Sequence, residues 1–428
     1  MYQDAHVVIT LYNGGTERTY TATIPPGGLH KEDFSDASTI KYIENPRGSA
    51  GNVVKYGTHI RSDVRVTAYY MLNHTESRDI FTLKGHQALG TQFYVPMQSD
   101  NAAASAGAFE GLDRVDIVAT EDNTTVTVVS KARIRIGAST LSPVGKAITR
   151  TLNKEETLKI LEYAYDESPS PAGTPITSDK PIAVTVTEDL VAGDTSGDQI
   201  VPVGSLGTRY VVPRTYLTNT TTRPERFYIV STTAATTTVK VYYSRNSYTT
   251  VTLNGAGAAA RYDIPANVYA VYVEATAPVY VYQRGGYGEE EAVLLPSVYA
   301  IGQTQMSFYQ VSGNATSANP LVQKGFLVFR TGTEAGFTIS YGNAVAVPLT
   351  SQSGFSIYDI PNVPEWKVAR FDFSAARRPA GSSRYRIRRA PSPWGIISPG
   401  IPATTIPMGT SPPTHPALCT GLPGTAEA

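Results

Sequence analysis

The sequence has 428 residues, enough for about two to four domains with sizeable cores, and its apolar fraction of 41% is typical of globular packing. Its formal net charge is zero, and a mildly acidic body precedes an arginine-containing C-terminal segment, so the composition does not favour DNA or RNA as a partner. The single cysteine, Cys419, excludes disulfides within the chain and a zinc site built on cysteines.

The first residues, MYQDAHVVIT, have neither the basic start nor the apolar core of a signal peptide. No run approaches the ~18 consecutive apolar residues that cross a bilayer as a helix. We therefore expect no membrane span in this chain, and we expect that a signal peptide, if the protein is exported, has been lost by truncation.

Short alternating segments follow one another along the chain. Runs such as TTVTVV, TTVKVYY and VYAVYVEA alternate apolar or aromatic residues with other, often small polar, residues, which predicts antiparallel strands with one buried face. Turn signals separate these runs at Asn13-Gly14-Gly15, Asp122-Asn123 and Asn254-Gly255. With 27 tyrosines and many Thr and Val residues, the composition also favours strands, and we predict an all-β fold.

Three sequence landmarks recur in the same order, which indicates one repeated unit. The first is RVDIVATEDNTTVTVV at Arg114, RFYIVSTTAATTTVKVYY at Arg226 and GFLVFRTGTEAGFTISY at Gly325. The second is RSDVRV, TSDKPIAV and ATAPVYV, and the third is ALGTQFYV, SLGTRYVV and AIGQTQMSF. We predict tandem antiparallel β-sandwich-like repeats of about 100–115 residues.

The landmarks set the expected unit boundaries. We predict β-repeat units at 1–112, 113–223, 224–320 and 321–374, followed by a Pro/Arg-rich tail at 375–428. The first unit lacks the opening strand of the later units and the fourth stops after YDIPNVPEWKVARFDFS, so we expect both to be incomplete. The tail lacks strand alternation, and we interpret it as disordered or as the product of a frame shift near Ser374.

The segments ITSDKPIAVTV, GDQIVPVGSLGTRYVVPR and RFYIVSTTAATTTVKV resemble the family of the N-terminal domain of IgG Fc-binding protein. The resemblance covers most of residues 1–374. Within this family, the chain resembles a bacterial, Bacteroidetes-like member. It implies an extracellular region of repeated β-domains that serves adhesion or ligand binding, with no assigned catalysis. Fc binding is an activity of the animal protein, and the motif defines no contact residues to carry over.

The segment EDLVAGDTSGDQIVP differs from unit to unit while its flanks repeat, which points to specificity rather than shared catalysis. We take Asp194, Asp198 and Gln199 as candidate ligand-binding residues. Asp194, Ser196 and Asp198 also alternate oxygen-bearing side chains as a Ca²⁺ loop does, although the full EF-hand pattern is absent. A turn in which the Asp side chains bond to backbone amides explains the same residues.

The corresponding segment of the third unit supplies four further candidates, Arg284, Tyr287, Glu289 and Glu290. Tyrosine combines a large contact area with a polar tip, which suits protein interfaces and sugars, and we expect Tyr287 to be exposed. We expect Tyr280 and Tyr282, which share one strand face, to be core residues.

An enzymatic alternative rests on acidic residues, because glycoside hydrolysis needs two carboxylates across a cleft. The candidates are Glu188 and Asp189 with Asp194 and Asp198, or the run Glu289-Glu290-Glu291. Scattered histidines and the lack of a G-x-S-x-G elbow argue against a serine nucleophile.

We therefore predict a non-catalytic, extracellular or cell-surface protein that binds glycoprotein, mucin or immunoglobulin Fc through the loops between its strands. A carbohydrate-active enzyme or accessory module, and a structural stalk without a ligand site, remain the alternatives. We expect no nucleic-acid partner and no cofactor apart from the Ca²⁺ considered above.

Overall fold

The structure is a computed structural model that describes residues 3–34, 36, 38–43, 47–73, 78–96, 112–137, 140–163, 171–191, 194–215, 224–285, 292–298, 305–309, 323–341, 345–372, 384–389, 404–407 and 424–427. These residues form mostly β-strands in several antiparallel sheets, which confirms the predicted fold class. Among them, α-helix is found at α1 Ile40–Ile43, and no helix is long and apolar enough to cross a membrane.

The strands before the first LG landmark form the N-terminal module. They are β1 Ala5–Asn13, β2 Thr16–Ile24, β4 Thr58–Ser62, β5 Ala68–Asn73 and β6 Arg78–Leu83, while β3 Val53–Val54 pairs with β13 of the second sandwich. The next group forms the second sandwich. Its strands are β7 Gly90–Tyr94, β8 Leu112–Ala119, β9 Thr124–Val129, β10 Arg133–Ile136, β11 Thr140–Ser142, β12 Ala147–Leu152, β13 Thr157–Tyr163, β14 Pro175–Val191 and β15 Asp194–Ile200.

The third sandwich follows the second LG landmark. Its strands are β16 Arg209–Pro213, β17 Arg226–Ser231, β18 Thr236–Ser244, β19 Ser247–Asn254, β20 Ala259–Asp263, β21 Ala270–Ala275, β22 Val279–Arg284 and β23 Ala292–Leu294. The remaining strands, of which β24 to β30 form the fourth sandwich, are β24 Gln305–Tyr309, β25 Gln323–Arg330, β26 Phe337–Tyr341, β27 Val347–Pro348, β28 Ser353–Asp359, β29 Trp366–Asp372, β30 Arg384–Arg389, β31 Thr404–Pro407 and β32 Gly424–Glu427.

The predicted turn signals lie between consecutive strands. Gly14 follows β1 with φ +59° and begins the two-residue connection of the β1–β2 hairpin. Asn123, between β8 and β9, has φ +55°, and Gly255, after β19, has φ +89°. Residues with small or amide side chains tolerate this left-handed backbone, which suits the short connections at these points.

The second and third sandwiches repeat one strand order. In the second sandwich, one sheet has the order β7, the N-terminal part of β14, β9 and β12. The other sheet contains β13, β8, the C-terminal part of β14 and β15, side by side in that order. In the third, the orders are β16-β21-β18-β19 and β20-β17-β22-β23. The pairing of β14 shifts register between Thr177 and Ile182, and the third sandwich divides the equivalent segment into β21 and β22. The sequence repeat is therefore also a repeat of topology.

The strand after each LG landmark pairs with the sandwich that follows it. β7 pairs with β14, β16 with β21 and β24 with β30. The boundaries expected from the landmarks, after residues 112, 223 and 320, place each of these strands in the preceding unit. The sheets begin a unit at the LG strand, because hydrogen-bond pairing rather than sequence distance decides membership of a sheet.

Close packing explains the glycine of the LG landmark. A Cβ on Gly90 would lie 2.4 Å from Cβ of Pro202, and a Cβ on Gly207 would lie 2.2 Å from Oγ of Ser297. Each glycine thus lets the start of a sandwich contact the segment that follows the last strand of the same sandwich.

Successive sheets stack face to face, so the inner strands are buried on both faces. Phe227 and Ile229 of β17 pack on β16, β18 and β21, while Tyr228 and Val230 join the core of the second sandwich. Tyr272 of β21 similarly packs on the fourth sandwich. The prediction of one buried face per strand is wrong for these strands, because each sheet has a second sheet against its other face.

Parts of the tail also form strands. From the sequence, we expected no regular structure after Ser374. In the structure, β30 pairs with β24 and β26, and Ile387 is buried in their core. β31 pairs with β25, and β32 runs parallel to β4. Arg384–Arg389 completes a sheet because alternate residues, with Ile387 in the middle, can face the core of the fourth sandwich.

Candidate functional site

The segment expected to be an acidic loop is mostly a hairpin. β14 runs to Val191 and β15 begins at Asp194, with Glu188 opposite Ser196 and Val191 opposite Asp194. The expectation of a long loop is wrong at this place, since Thr185 and Thr187 pair with Gln199 and Gly197 in a regular ladder. Alternate β15 residues therefore share a face of the sheet.

Asp198 lies where the N-terminal module and the second and third sandwiches meet. Its Oδ1 is 2.5 Å from Nζ of Lys84, and its Oδ2 accepts a hydrogen bond from the backbone N–H of Leu294 at 2.9 Å. The side chain is 2% exposed, and this burial raises the pKa of the Asp198 carboxyl, against the smaller opposing effect of Lys84. Both carboxylate oxygens are thus engaged inside the protein.

Gln199 is bonded to the same lysine. Its side-chain oxygen accepts the backbone N–H of Lys84, and its backbone carbonyl accepts Nζ of Lys84. One residue earlier, Gly197 donates its N–H to Oδ2 of Asp79 at 2.7 Å. These contacts hold β6 beside β15 and give Asp198 and Gln199 a structural role in joining successive modules.

The residues considered for Ca²⁺ lie on a strand rather than in a loop. Asp194, Ser196 and Asp198 alternate along β15, and Ser196 is buried. Among the residues that the structure describes, no group of three or more His, Cys, Asp or Glu residues is arranged to hold a metal ion.

One of the four candidates from the third unit lies among the described residues. Arg284 ends β22 opposite Arg226 and is 1% exposed, so a ligand in solution does not reach it. Tyr287, Glu289 and Glu290 lie outside the described residues. Tyr280 and Tyr282 are fully buried, as expected of core residues.

Two buried glutamates were not singled out by sequence. Glu162 on β13 accepts hydrogen bonds from Oγ of Ser130 at 2.6 Å and Oγ1 of Thr174 at 3.1 Å. Burial raises the pKa of its carboxyl to about 7. The signal in the sequence was its position in LEY, two residues after the core residue Ile160, where alternation places it on the buried face.

Glu225 is a second buried carboxyl group and lies immediately before β17 of the third sandwich. It accepts hydrogen bonds from the backbone N–H of Thr215 at 2.6 Å and from Nε2 of Gln283 at 2.9 Å, and burial raises its pKa to about 7. Glu162 and Glu225 are fully buried, so neither is positioned to act on a glycan in an open cleft.

Exposed aromatic residues occur where the third and fourth sandwiches meet. Tyr269 and Tyr358 stack with ring centroids 4.1 Å apart and planes inclined by 19°, and Tyr269 remains 44% exposed. The guanidinium of Arg370 lies 5.5 Å from the Tyr269 ring and 5.9 Å from the Tyr358 ring, and it donates to the carbonyl of Thr215 at 3.0 Å. We call Tyr269 and Tyr358 the tyrosine stack; Tyr269 is exposed, and the guanidinium of Arg370 lies near both rings.

A second exposed tyrosine lies on the edge strand β19. Tyr248 is 45% exposed, and its ring contacts Tyr242 at 5.1 Å and Nζ of Lys240 at 5.0 Å. Tyr242 in turn lies 5.9 Å from Tyr272, which is buried against the fourth sandwich. Tyr248 therefore matches Tyr269 in exposure, and among the described residues its aromatic contact is with Tyr242 of its own sheet.

Comparison with known proteins adds one finding. The model of a protein family described as IgGFc binding protein matches residues 79–400. The family found is a binding-protein family, and no catalytic family was detected. No curated protein and no solved structure gave a significant match.

Proposed function

This chain belongs to the IgGFc binding protein family, and from that premise we propose that it is a non-catalytic extracellular or cell-surface protein that recognises glycoprotein, mucin or immunoglobulin. We propose the tyrosine stack as the ligand-binding surface, and it is the observation that best supports a binding role. It presents exposed aromatic area on a scaffold whose inner strands are buried on both faces.

Tyr269 and Tyr358 suit this role for physical reasons. An aromatic ring already held by stacking loses little conformational freedom when a ligand covers it. The phenol hydroxyl supplies a polar tip that can bond to a sugar or a peptide backbone. The segments between the repeated landmarks, which vary in sequence from unit to unit, would add specificity.

The test is binding of the full chain to a glycan array, to purified mucin and to immobilised IgG Fc, followed by the same assays on variants. We expect Tyr269→Ala to weaken binding at least tenfold, as removal of a central aromatic contact does. Tyr248→Ala is the matched control, because it removes an equally exposed tyrosine away from the stack.

Equal loss in both variants would show that the tyrosine stack is not the contact surface. If the wild-type chain binds none of the three ligands, that result favours a structural stalk without a ligand site.

The packing of successive sheets supports the stalk as a second candidate function. Contacts such as those of Tyr228 and Tyr272 fix neighbouring sandwiches against each other and resist bending between them.

A further inference from the structure

Lys84 and Asp198 are held in an arrangement that an ion pair alone does not require. Nζ of Lys84 lies 2.5 Å from Oδ1 of Asp198 and also donates to the carbonyl of Gln199. The backbone N–H of Lys84 is fixed by the side chain of Gln199. The amine is thus held at the carboxyl group by contacts at both ends of the lysine, as the reactants of an intramolecular reaction need to be.

The surroundings of Asp198 favour a neutral carboxyl group. The side chain is buried, at 2% exposure, and desolvation raises the pKa of the carboxyl. Nζ of Lys84 lies within hydrogen-bond distance of Oδ1, so a proton can be transferred between the two groups without a net charge change.

A backbone donor already points at the second oxygen. The N–H of Leu294 lies 2.9 Å from Oδ2 of Asp198. If a nucleophile attacks Cγ, negative charge develops on Oδ2, and a preorganised N–H at this distance stabilises that charge as an oxyanion-hole donor does. The donor comes from the third sandwich, so the arrangement is complete only when three successive modules are packed together.

We propose that Lys84 and Asp198 condense to form an isopeptide bond between the N-terminal module and the second sandwich. One proton moves from Nζ to Oδ1. The freed electron pair of Nζ forms a bond to Cγ while the C=O electron pair moves to Oδ2. A second Nζ proton passes to Oδ1, the bond between Cγ and Oδ1 breaks, and one water leaves. The product is a secondary amide, and the reaction needs no oxidant, reductant or cofactor.

The bond would tie strand β15 covalently to the residue after β6 across 114 positions of sequence. In a protein with one cysteine, it would supply the cross-link that disulfides cannot. It would serve the proposed surface role by preventing separation of the modules under load, but it does not depend on which ligand the protein binds.

Intact-mass spectrometry of the purified full chain tests the proposal directly. We expect a mass lower than that of the sequence by about 18 Da, one water molecule. Trypsin should fail to cleave after Lys84, and fragmentation should identify a branched peptide that joins Lys84 to Asp198. Asp198→Asn should change the deficit to about 17 Da, because ammonia replaces water as the leaving group.

Two lysine variants complete the design. Lys84→Arg should restore the mass calculated from its sequence, whereas Lys131→Arg should retain the deficit, since Nζ of Lys131 contacts only a carbonyl, that of Gly257, among the described hydrogen bonds. A wild-type mass equal to that of the sequence, or a deficit that maps to other residues, overturns the proposal. The wild-type measurement decides even if a variant does not fold.

Discussion

Replacing Glu162 by glutamine should make the stability of this protein less dependent on pH. The carboxyl is fully buried in the core of the second sandwich and accepts hydrogen bonds from Ser130 and Thr174 through Oε1. Its Oε2 has no hydrogen-bond partner among the described residues. Glutamine keeps the accepting oxygen and the shape of the protonated acid, and it cannot ionise.

The magnitude follows from the pKa of Glu162. Burial raises that pKa from 4.5 to about 7, so between these pH values the folded state holds a proton that the unfolded state has lost. The stability due to this proton is fully present below pH 4.5 and is lost as pH rises through about 7. At 1.36 kcal/mol per pKa unit, the loss is about 3 kcal/mol, and the Glu162→Gln variant should not show it.

The assay is urea unfolding followed by circular dichroism at pH 4.5 and at pH 8. Wild type and Glu162→Gln should have similar unfolding free energies at the lower pH, and the variant should be more stable by about 3 kcal/mol at the higher pH. Glu121→Gln, which changes an exposed glutamate of the same sandwich, controls for the loss of a surface carboxyl. A difference between Glu162→Gln and wild type that is the same at both pH values would show that ionisation of Glu162 does not cause the loss of stability.

Two further predictions concern packing between segments. Gly207→Ala should lower the unfolding free energy by about 1–3 kcal/mol, because the added Cβ would lie 2.2 Å from Oγ of Ser297. Gly204→Ala, where no atom lies within 4 Å of the new Cβ, is its control in thermal unfolding, and equal destabilisation by the two would contradict the prediction. Tyr280→Phe should cost about 1 kcal/mol in urea unfolding, since it removes the hydroxyl that donates to the carbonyl of Val201 at 2.6 Å; an unchanged midpoint would show that this bond contributes nothing.

Much of the architecture could be read from the sequence because it depends on local patterns. Alternation of Val and Thr in runs such as Thr124–Val129 specifies a strand, and the turn signals at Gly14, Asn123 and Gly255 specify where one strand ends and the next begins. The recurrence of the landmarks at Gly90 and Gly207 specified a repeated unit. All of these features involve residues close to one another in the chain or a comparison of one segment with the next.

The candidate site depended on residues far apart in sequence. Asp198 and Gln199 were predicted to face a ligand because the segment around them varies, but Lys84, 114 positions before Asp198, and Leu294, 96 positions after it, engage them. The sequence indicates that these residues are polar and near a turn. It does not identify the residues that contact them, because those residues come from distant segments and produce no periodic pattern in the sequence.

Period-two alternation and turn residues act over a few positions, so the amino-acid sequence is enough to predict a series of β-strands arranged as a repeated unit. The packing of the sheets establishes that each LG strand belongs to the following sandwich, that inner strands are buried on both faces and that the acidic segment joins three modules. Those outcomes depend on which sheets pack against each other. The apolar surface buried and the hydrogen bonds formed by that packing involve residues roughly a hundred positions apart in the sequence.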